Sequence, residues 1–294
     1  LRELTSPTMV REIIRTHGFH VRKSLGQNFL LDANIIERIV QQANLTEQDL
    51  VFEIGPGLGV LTRRLAKDAG KVIAVELDNH LLPILAETLA DYPNAEVVHG
   101  DALKMDFDRL AEERTEGTFG PQGKGYKLVA NLPYYITTPI LMHLITQGFH
   151  LDVLVVMMQR EVAERLQALP GTKEYGSLSI AVQYYTIPEI VLKVPKTVFY
   201  PAPDVESAVI RLTRRSEPPV QVTSEEGFFR VVRAAFGQRR KTLLNSLTGS
   251  GLASKEIWQK VLAEANIDPG RRGETLSLEE FATLANTFMQ AKLP

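Results

Sequence analysis

Three carboxylates and one asparagine stand where the sequence can do chemistry. Glu53 opens Glu53-Ile-Gly-Pro-Gly-Leu-Gly59, Glu76 ends Lys71-Val-Ile-Ala-Val-Glu76, Asp101 follows Gly100, and Asn131 opens Asn131-Leu132-Pro133-Tyr134. Each closes or follows a short β-branched run, so each falls at the carboxyl end of a predicted strand, the edge where open α/β sheets bind ligands.

The residue types restrict which ligand. A dinucleotide fingerprint needs Gly or Ala at position 60, where Val60 stands, and the third glycine arrives one residue early. A pyrophosphate needs backbone donors and no nearby anion, but Pro56 removes a donor and Glu53 adds a negative charge. S-adenosylmethionine makes the opposite demands, because its sulfonium and ammonium favour a carboxylate. Gly55, Gly57 and Gly59 let the backbone approach such a cofactor closely. Glu76 can accept hydrogen bonds from both ribose hydroxyls, and Asp101 can accept from the adenine amino group.

Asn131-Leu132-Pro133-Tyr134 falls beside the expected position of the cofactor methyl. As residue types alone, Asn and Pro also suit an ordinary turn. Their chemical use is with an adenine amino nitrogen, a poor nucleophile because its lone pair is delocalised into the ring. An Asn amide oxygen and a backbone carbonyl can bind the two amino hydrogens and aim the lone pair at the methyl. Pro133 stiffens the turn and Tyr134 stacks on the base. Leaving a stack costs the base a few kcal/mol, which stacking of about 1–3 kcal/mol per base can offset. Phe199, in Val198-Phe-Tyr-Pro-Ala-Pro203, is the candidate for a second stacking wall; a packed core aromatic is the equal alternative.

The elements that position these groups follow from periodicity. Ser6-Pro7 and then Met9, Val10, Ile13 and Ile14 predict a helix, and Asp32 with Ile35, Ile36, Ile39 and Val40 predicts a second. From residue 51, strands at 51–54, 71–76, 96–99, 127–130 and 151–156 alternate with helices, which implies a mostly parallel sheet covered on both faces. The glycine-rich stretch 115–125 reads as a loop. Ser179 to Tyr185, Ile190 to Val194 and Ser207 to Leu212 are expected to complete the sheet, the last two as a hairpin. After Thr213 the β signal stops, and Phe228, Phe229, Val232, Phe236, Leu243, Leu244 and Leu247 form a helical apolar stripe with a break at Gly237. Ser277 with Glu280 predicts a capping box on a final helix.

Composition bounds the class. The chain has 294 residues, 44% hydrophobic and 23% charged, which suits a large domain with a smaller one. Absence of cysteine excludes disulfides and thiolate chemistry. None of the six histidines shows metal-binding spacing, so no metal is expected. No apolar run reaches membrane length and no leader is read at the start, so a cytoplasmic protein is expected. A net charge of −2 means that a polyanion must be held by a local basic patch.

Taken together, Leu25-Gly-Gln-Asn-Phe-Leu30, Glu53 to Gly59, Gly100-Asp101, Asn131 to Tyr134, Tyr175-Gly-Ser177, Phe199 to Ser207 and Gln238-Arg-Arg-Lys-Thr242 make the chain resemble, over its length, the KsgA family of bacterial small-subunit rRNA adenine dimethyltransferases. The resemblance implies a Rossmann-like class I methyltransferase sheet, mostly parallel with one antiparallel strand, and a small C-terminal α-helical domain. It implies a methyltransferase domain over 1–213, with N-terminal helices over 1–48, and an rRNA-binding domain over 214–294. The activity implied is transfer of methyls from S-adenosylmethionine to two adjacent adenosines in the 3′-terminal hairpin loop of 16S rRNA, within the immature small subunit. By the same likeness Gln27, Asn28 and Leu30 join Glu53, Gly55, Gly57, Gly59, Glu76, Asp101 and Asn131 around the cofactor. The erythromycin-resistance methyltransferases of large-subunit rRNA share these motifs, but commonly carry Ile where Leu132 stands and lack the proline of Gly-Pro-Gly. Tyr135 departs from many relatives, which have a smaller polar residue there.

Arg230, Arg233, Arg239, Arg240 and Lys241 are read along the helix after the linker, with Arg214, Arg215, Arg271 and Arg272 near in sequence, and Arg22 and Lys23 beside the predicted active site. Arg22, Lys23, Arg233, Arg239, Arg240 and Lys241 are the candidate phosphate contacts. A monomer is expected. Two alternatives stay open: a non-catalytic assembly or transcription factor on the same fold, and methylation of DNA adenine or a protein amide.

Overall fold

The computed structural model describes residues 4–19 and 27–291. Contacts divide the chain into two compact units. The first holds the described residues through Ala163 with Ile187–Arg214, and the second holds Glu164–Thr186 with the residues from Arg215 onward.

The first unit begins with α1 (Pro7–Thr16), in which Pro7 occupies the first turn, and β1 (Phe29–Leu30). In α2 (Ala33–Gln42) the Asp32 side chain accepts from the Asn34 and Ile35 amides, the expected N-cap. β2 (Leu50–Ile54), α3 (Val60–Asp68), β3 (Lys71–Glu76), α4 (Leu82–Thr88), β4 (Ala95–His99), α5 (Phe107–Arg114), β5 (Tyr126–Asn131), α6 (Thr137–Thr146) and β6 (Leu151–Gln159) then alternate as the sequence predicts. α7 (Arg160–Leu166) and α8 (Ser177–Tyr185) precede β7 (Thr186–Val194), β8 (Phe199–Tyr200) and β9 (Ser207–Arg214).

Among the described residues the main sheet runs β4-β3-β2-β5-β6-β9-β7. β2, β3, β4, β5 and β6 pair in parallel, and β9 runs antiparallel to β6 from Val153↔Thr213 to Gln159↔Ser207. Strand order reverses at β2 and β5, the switch point at which open α/β sheets form a crevice. A two-residue ribbon, Phe29↔Tyr200 and Leu30↔Phe199, joins β1 to β8.

Ser179 to Tyr185 is helix, not strand as the sequence reading expects. The run Ser177-Leu-Ser-Ile-Ala-Val-Gln-Tyr-Tyr185 is apolar on several sides, so its periodicity does not separate the two states. Its start decides: the Gly176 amide donates to Ser179 Oγ at 3.0 Å, and Ser179 Oγ donates to Arg165 O at 2.6 Å.

The second unit is built from α8, α9 (Glu225–Phe236), α10 (Leu243–Gly249), α11 (Lys255–Glu264) and α12 (Leu278–Gln290). Trp258 stacks on Phe288 at 4.4 Å and Phe236 on Phe281 at 5.7 Å. Ser277 and Glu280 form the expected capping box on α12. The sequence boundary gives all of 1–213 to the first domain, whereas Glu164–Thr186 packs with the helices. Tyr184 stacks on Phe228 at 5.3 Å, and Tyr175 donates to Leu276 O at 3.0 Å, so these rings are buried only in that company.

Candidate cofactor and reaction site

The site starts from a gap in the backbone ladder. β2 and β5 pair only through Val51↔Lys127 and Phe52↔Leu128. Beyond that point Glu53 and Ile54 follow β3, while Val129 to Asn131 follow β6. The separated carboxyl ends border a cleft of about 250 Å³.

The glycine turn forms one wall. Gly55, Gly57 and Gly59 all have positive φ, at 68°, 59° and 83°. A Cβ on Gly55 would meet nothing within 4 Å, so this position opens towards the cleft that it lines. Gly59 is different. It does not line the cleft, and a Cβ there would meet Thr88, Leu89 and Leu85 at 3.1–3.3 Å, so its glycine serves the packing of α3 on α4 rather than a ligand.

Glu53, Glu76 and Asp101 line the cleft, and the described lining includes no Lys, Arg or His. Glu53 is 1% exposed; burial pushes its pKa up to about 8, the Glu76 charge adds to this, and the Thr62 hydroxyl opposes it. Its Oε2 is buried without a hydrogen-bond partner. Burial likewise raises Glu76 to about 7, opposed by backbone amides that include Asp78 N, which donates to Glu76 Oε1 at 2.7 Å. Asp101 Oδ1 accepts from the Leu103 amide at 3.0 Å. Buried carboxylates of one sign are costly without a cation, and an open glycine beside them leaves room for one. These residues therefore fit a sulfonium- and ammonium-bearing nucleoside.

The reaction loop faces the same space. Asn131 Nδ2 donates to Asn28 O at 3.2 Å. Because that partner is an acceptor, the amide must present its nitrogen there, which turns Oδ1 to the other side. The Leu132 amide donates to Met157 O at 3.1 Å and Thr137 Oγ1 to Pro133 O at 2.8 Å, so the turn is held from both sides. Tyr134 lies half-buried, its hydroxyl 2.5 Å from Ser207 Oγ.

Gln27, Asn28, Leu30, Glu53, Gly55, Gly57, Glu76, Asp101, Asn131, Leu132, Pro133 and Tyr134 thus share one cleft; Gly59 and Phe199 do not line it. Phe199 is 5% exposed and paired with Leu30, packed into the core, so it is no free wall in this structure. Arg22 and Lys23 lie outside the described residues. Leu77 and Tyr135, 50% and 52% exposed, line the cleft and are absent from the expected set, as is buried Asp78, which accepts from Gln27 Nε2 at 3.1 Å. A large apolar residue directly after a strand-end carboxylate was the available signal for Leu77.

A sequence profile described as "Ribosomal RNA adenine dimethylase" matches residues 18–289. The chain belongs to that family. This dimethylase is 60% identical over 289 residues to the ribosomal RNA small subunit methyltransferase A of Pelotomaculum thermopropionicum, covering 98% of each chain. It is 53% identical over 288 residues to the protein of the same name from a Geobacillus strain, covering 97% of each. Among solved structures, a dimethyladenosine transferase from Plasmodium falciparum superposes with a TM-score of 0.73 at 26% identity, over 87% of this chain and 95% of that one. The 23S rRNA methyltransferase ErmE gives 0.66 at 28%, over 90% and 100%. The dimethylase accordingly has the class I methyltransferase fold, and its methyl donor is S-adenosylmethionine.

In the second unit of the dimethylase the basic residues separate into two kinds. Arg239, Arg240 and Lys241 sit exposed in the turn between α9 and α10, not along a helix as the sequence reading has them, because α9 ends at Phe236 before Gly237. Arg230 and Arg233 are exposed on α9. Arg215 Nε donates to Gln183 O and Thr186 O at 3.0 and 3.1 Å, and Arg271 grips Glu280 through two bonds, one of 2.9 Å. In the first unit Arg214 Nη1 donates to Ile145 O at 2.6 Å. These last three arginines are committed to the fold. Arg239 is also engaged, by Glu274 at 3.4 Å and by Lys173 O.

Proposed function

We propose that this chain transfers methyl groups to the exocyclic amino nitrogens of two adjacent adenosines in the 3′-terminal hairpin loop of 16S rRNA, on the immature small subunit. The relatives' shared name as small-subunit methyltransferases supports the substrate. The observation that carries the chemistry is the Asn131 amide, pinned by nitrogen to Asn28 O beside a cleft whose described lining holds carboxylates and no cationic side chain.

Glu53 holds the donor's ammonium, Glu76 its ribose hydroxyls and Asp101 its adenine amino group, with Gly55 and Gly57 giving backbone access and Gln27, Asn28 and Leu30 closing the opposite side. The bound donor supplies an electrophilic methyl. Asn131 Oδ1 accepts one amino hydrogen of the target base. The Leu132 carbonyl accepts the other, since Pro133 O already accepts from Thr137. Held this way, the lone pair points out of the ring plane towards the methyl. Tyr134 stacks on the base and offsets the cost of extruding it. Methylation makes the nitrogen acidic, so its proton leaves to water and no side-chain base is required.

Arg233, Arg240 and Lys241 contact phosphates and set the register of the RNA, with Arg239 assisting, and Arg22 and Lys23 supply further phosphate contacts. The chain acts as a monomer in the cytoplasm; no helix among the described residues is long and apolar enough to cross a membrane. The test is to incubate the protein and labelled donor with small-subunit particles from cells that lack it. Label should appear in the 3′ hairpin adenines, and its absence there would sink the assignment.

A further inference from the structure

Ser207 is the first residue of β9, fully buried, and its Oγ lies 2.5 Å from the Tyr134 hydroxyl. The ladder pairs Ser207 with Gln159 and Ala208 with Met158, and the neighbouring Arg160 amide donates to Glu206 O at 3.0 Å. Arg160 Nη1 adds a bond to Glu206 Oε2 at 2.5 Å. Ser207 is therefore part of the rigid sheet, whereas Tyr134 belongs to a turn.

We propose that Ser207 is a positioning residue for methyl transfer: by tying the Tyr134 hydroxyl to the sheet, it fixes the ring plane against which the target adenine is stacked. A phenylalanine ring would stack equally well but could rotate about χ1 and χ2. The hydroxyl removes that freedom at a point far from the base, so the ring face is already set when the base arrives. The carboxylate half of the cleft makes no such contact, so loss of the anchor leaves donor binding alone.

The inference rests on the reading of Tyr134 as the stacking wall, and its test keeps the two apart. Ser207→Ala and Tyr134→Phe each break the bond while keeping the ring. Each should lower kcat on immature small subunits by between about tenfold and about 10²-fold, the scale on which misorientation costs rate. S-adenosylmethionine affinity, measured by calorimetry, should stay within about twofold, since no donor contact changes. The double variant separates positioning from mere structure. Removing both partners relieves a buried unpaired hydroxyl, so its Tm should return towards wild type while kcat stays at the level of the worse single variant. Recovery of kcat in the double variant, multiplied losses, or donor affinity falling as far as kcat would overturn the proposal. If Ser207→Ala does not fold, Tyr134→Phe carries the same test, and a wild-type kcat there overturns it. Failure of the wild-type protein to methylate the particles would count against the function reading instead.

Discussion

Donor binding should expel a proton from Glu53. In the free protein this carboxyl is 1% exposed, has one oxygen without a partner and titrates at about 8 rather than 4.5. At pH 7 about one molecule in ten carries it ionised, and a pKa unit corresponds to about 1.4 kcal/mol. If the ammonium requires the ionised form, protonation of Glu53 alone should make the dissociation constant at pH 7 about tenfold weaker than with this carboxylate fully ionised. Glu76, raised to about 7, adds a second proton below that pH. The logarithm of the dissociation constant should therefore fall with pH by about one unit per pH unit between 7 and 8, and more steeply below 7. Calorimetric titrations from pH 6 to 9, in buffers of different ionisation enthalpy, read both the slope and the protons released. The donor's own α-amino group also titrates near 8, so the decisive comparison is Glu53→Gln. That variant should bind more weakly at high pH and lose one unit of slope. A wild-type affinity flat between pH 6 and 8, or an unchanged slope in Glu53→Gln, would refute the reasoning.

The same carboxyl predicts a stability profile. Its folded pKa lies above its unfolded one, so its contribution to folding is complete below about 4.5 and lost as pH rises through about 8. Free Glu53→Gln should melt higher than wild type at pH 8.5, by about 2–4 °C per kcal/mol recovered, and equally at pH 4.5. Asn131→Ala should reduce kcat by about 10²–10³-fold, as loss of a preorganised polar group does elsewhere, and a near-wild-type rate would remove it from the mechanism. Gly55→Ala and Gly59→Ala should diverge: both carry a left-handed backbone cost of about 1–2 kcal/mol, but only Gly55→Ala should lose donor affinity. Gly59→Ala should lower Tm further, because Leu85, Thr88 and Leu89 crowd its Cβ. Lys241→Ala should weaken RNA binding across sequences and cut the salt slope by about one, whereas Arg271→Ala should lower Tm through the abandoned Glu280, with the slope unchanged.

The parallel sheet was legible because its strands are short β-branched runs punctuated by glycine and capping residues, and the ligand edge followed from topology alone. Asp32 and Ser277 announce their helices because a cap is a local bond. What stayed hidden is what depends on distant partners. The two-residue ribbon of β1 and β8 is too short for any periodicity, yet it sets Gln27 to Leu30 against the cleft and draws Phe199 into the core. Gly55 and Gly59 read alike in sequence, and only the neighbours of a Cβ separate a position open to the cleft from a helix contact. Arginines give the same ambiguity: Arg214 and Arg271 look like phosphate ligands until their carbonyl and carboxylate partners are seen. Asp78 and Ser207 act through other side chains, so neither their type nor their spacing signals a role.

The chain passes between its two units three times, after Ala163, after Thr186 and after Arg214. A single cut cannot therefore separate them. A truncation at Arg214 would leave Tyr175, Ile180 and Tyr184 attached to a fragment that no longer contains Phe228, Val232 or Leu276 to cover them. The apolar surface so bared makes that fragment a candidate for aggregation rather than a minimal enzyme. Swapping the second unit between relatives requires exchanging two segments at once.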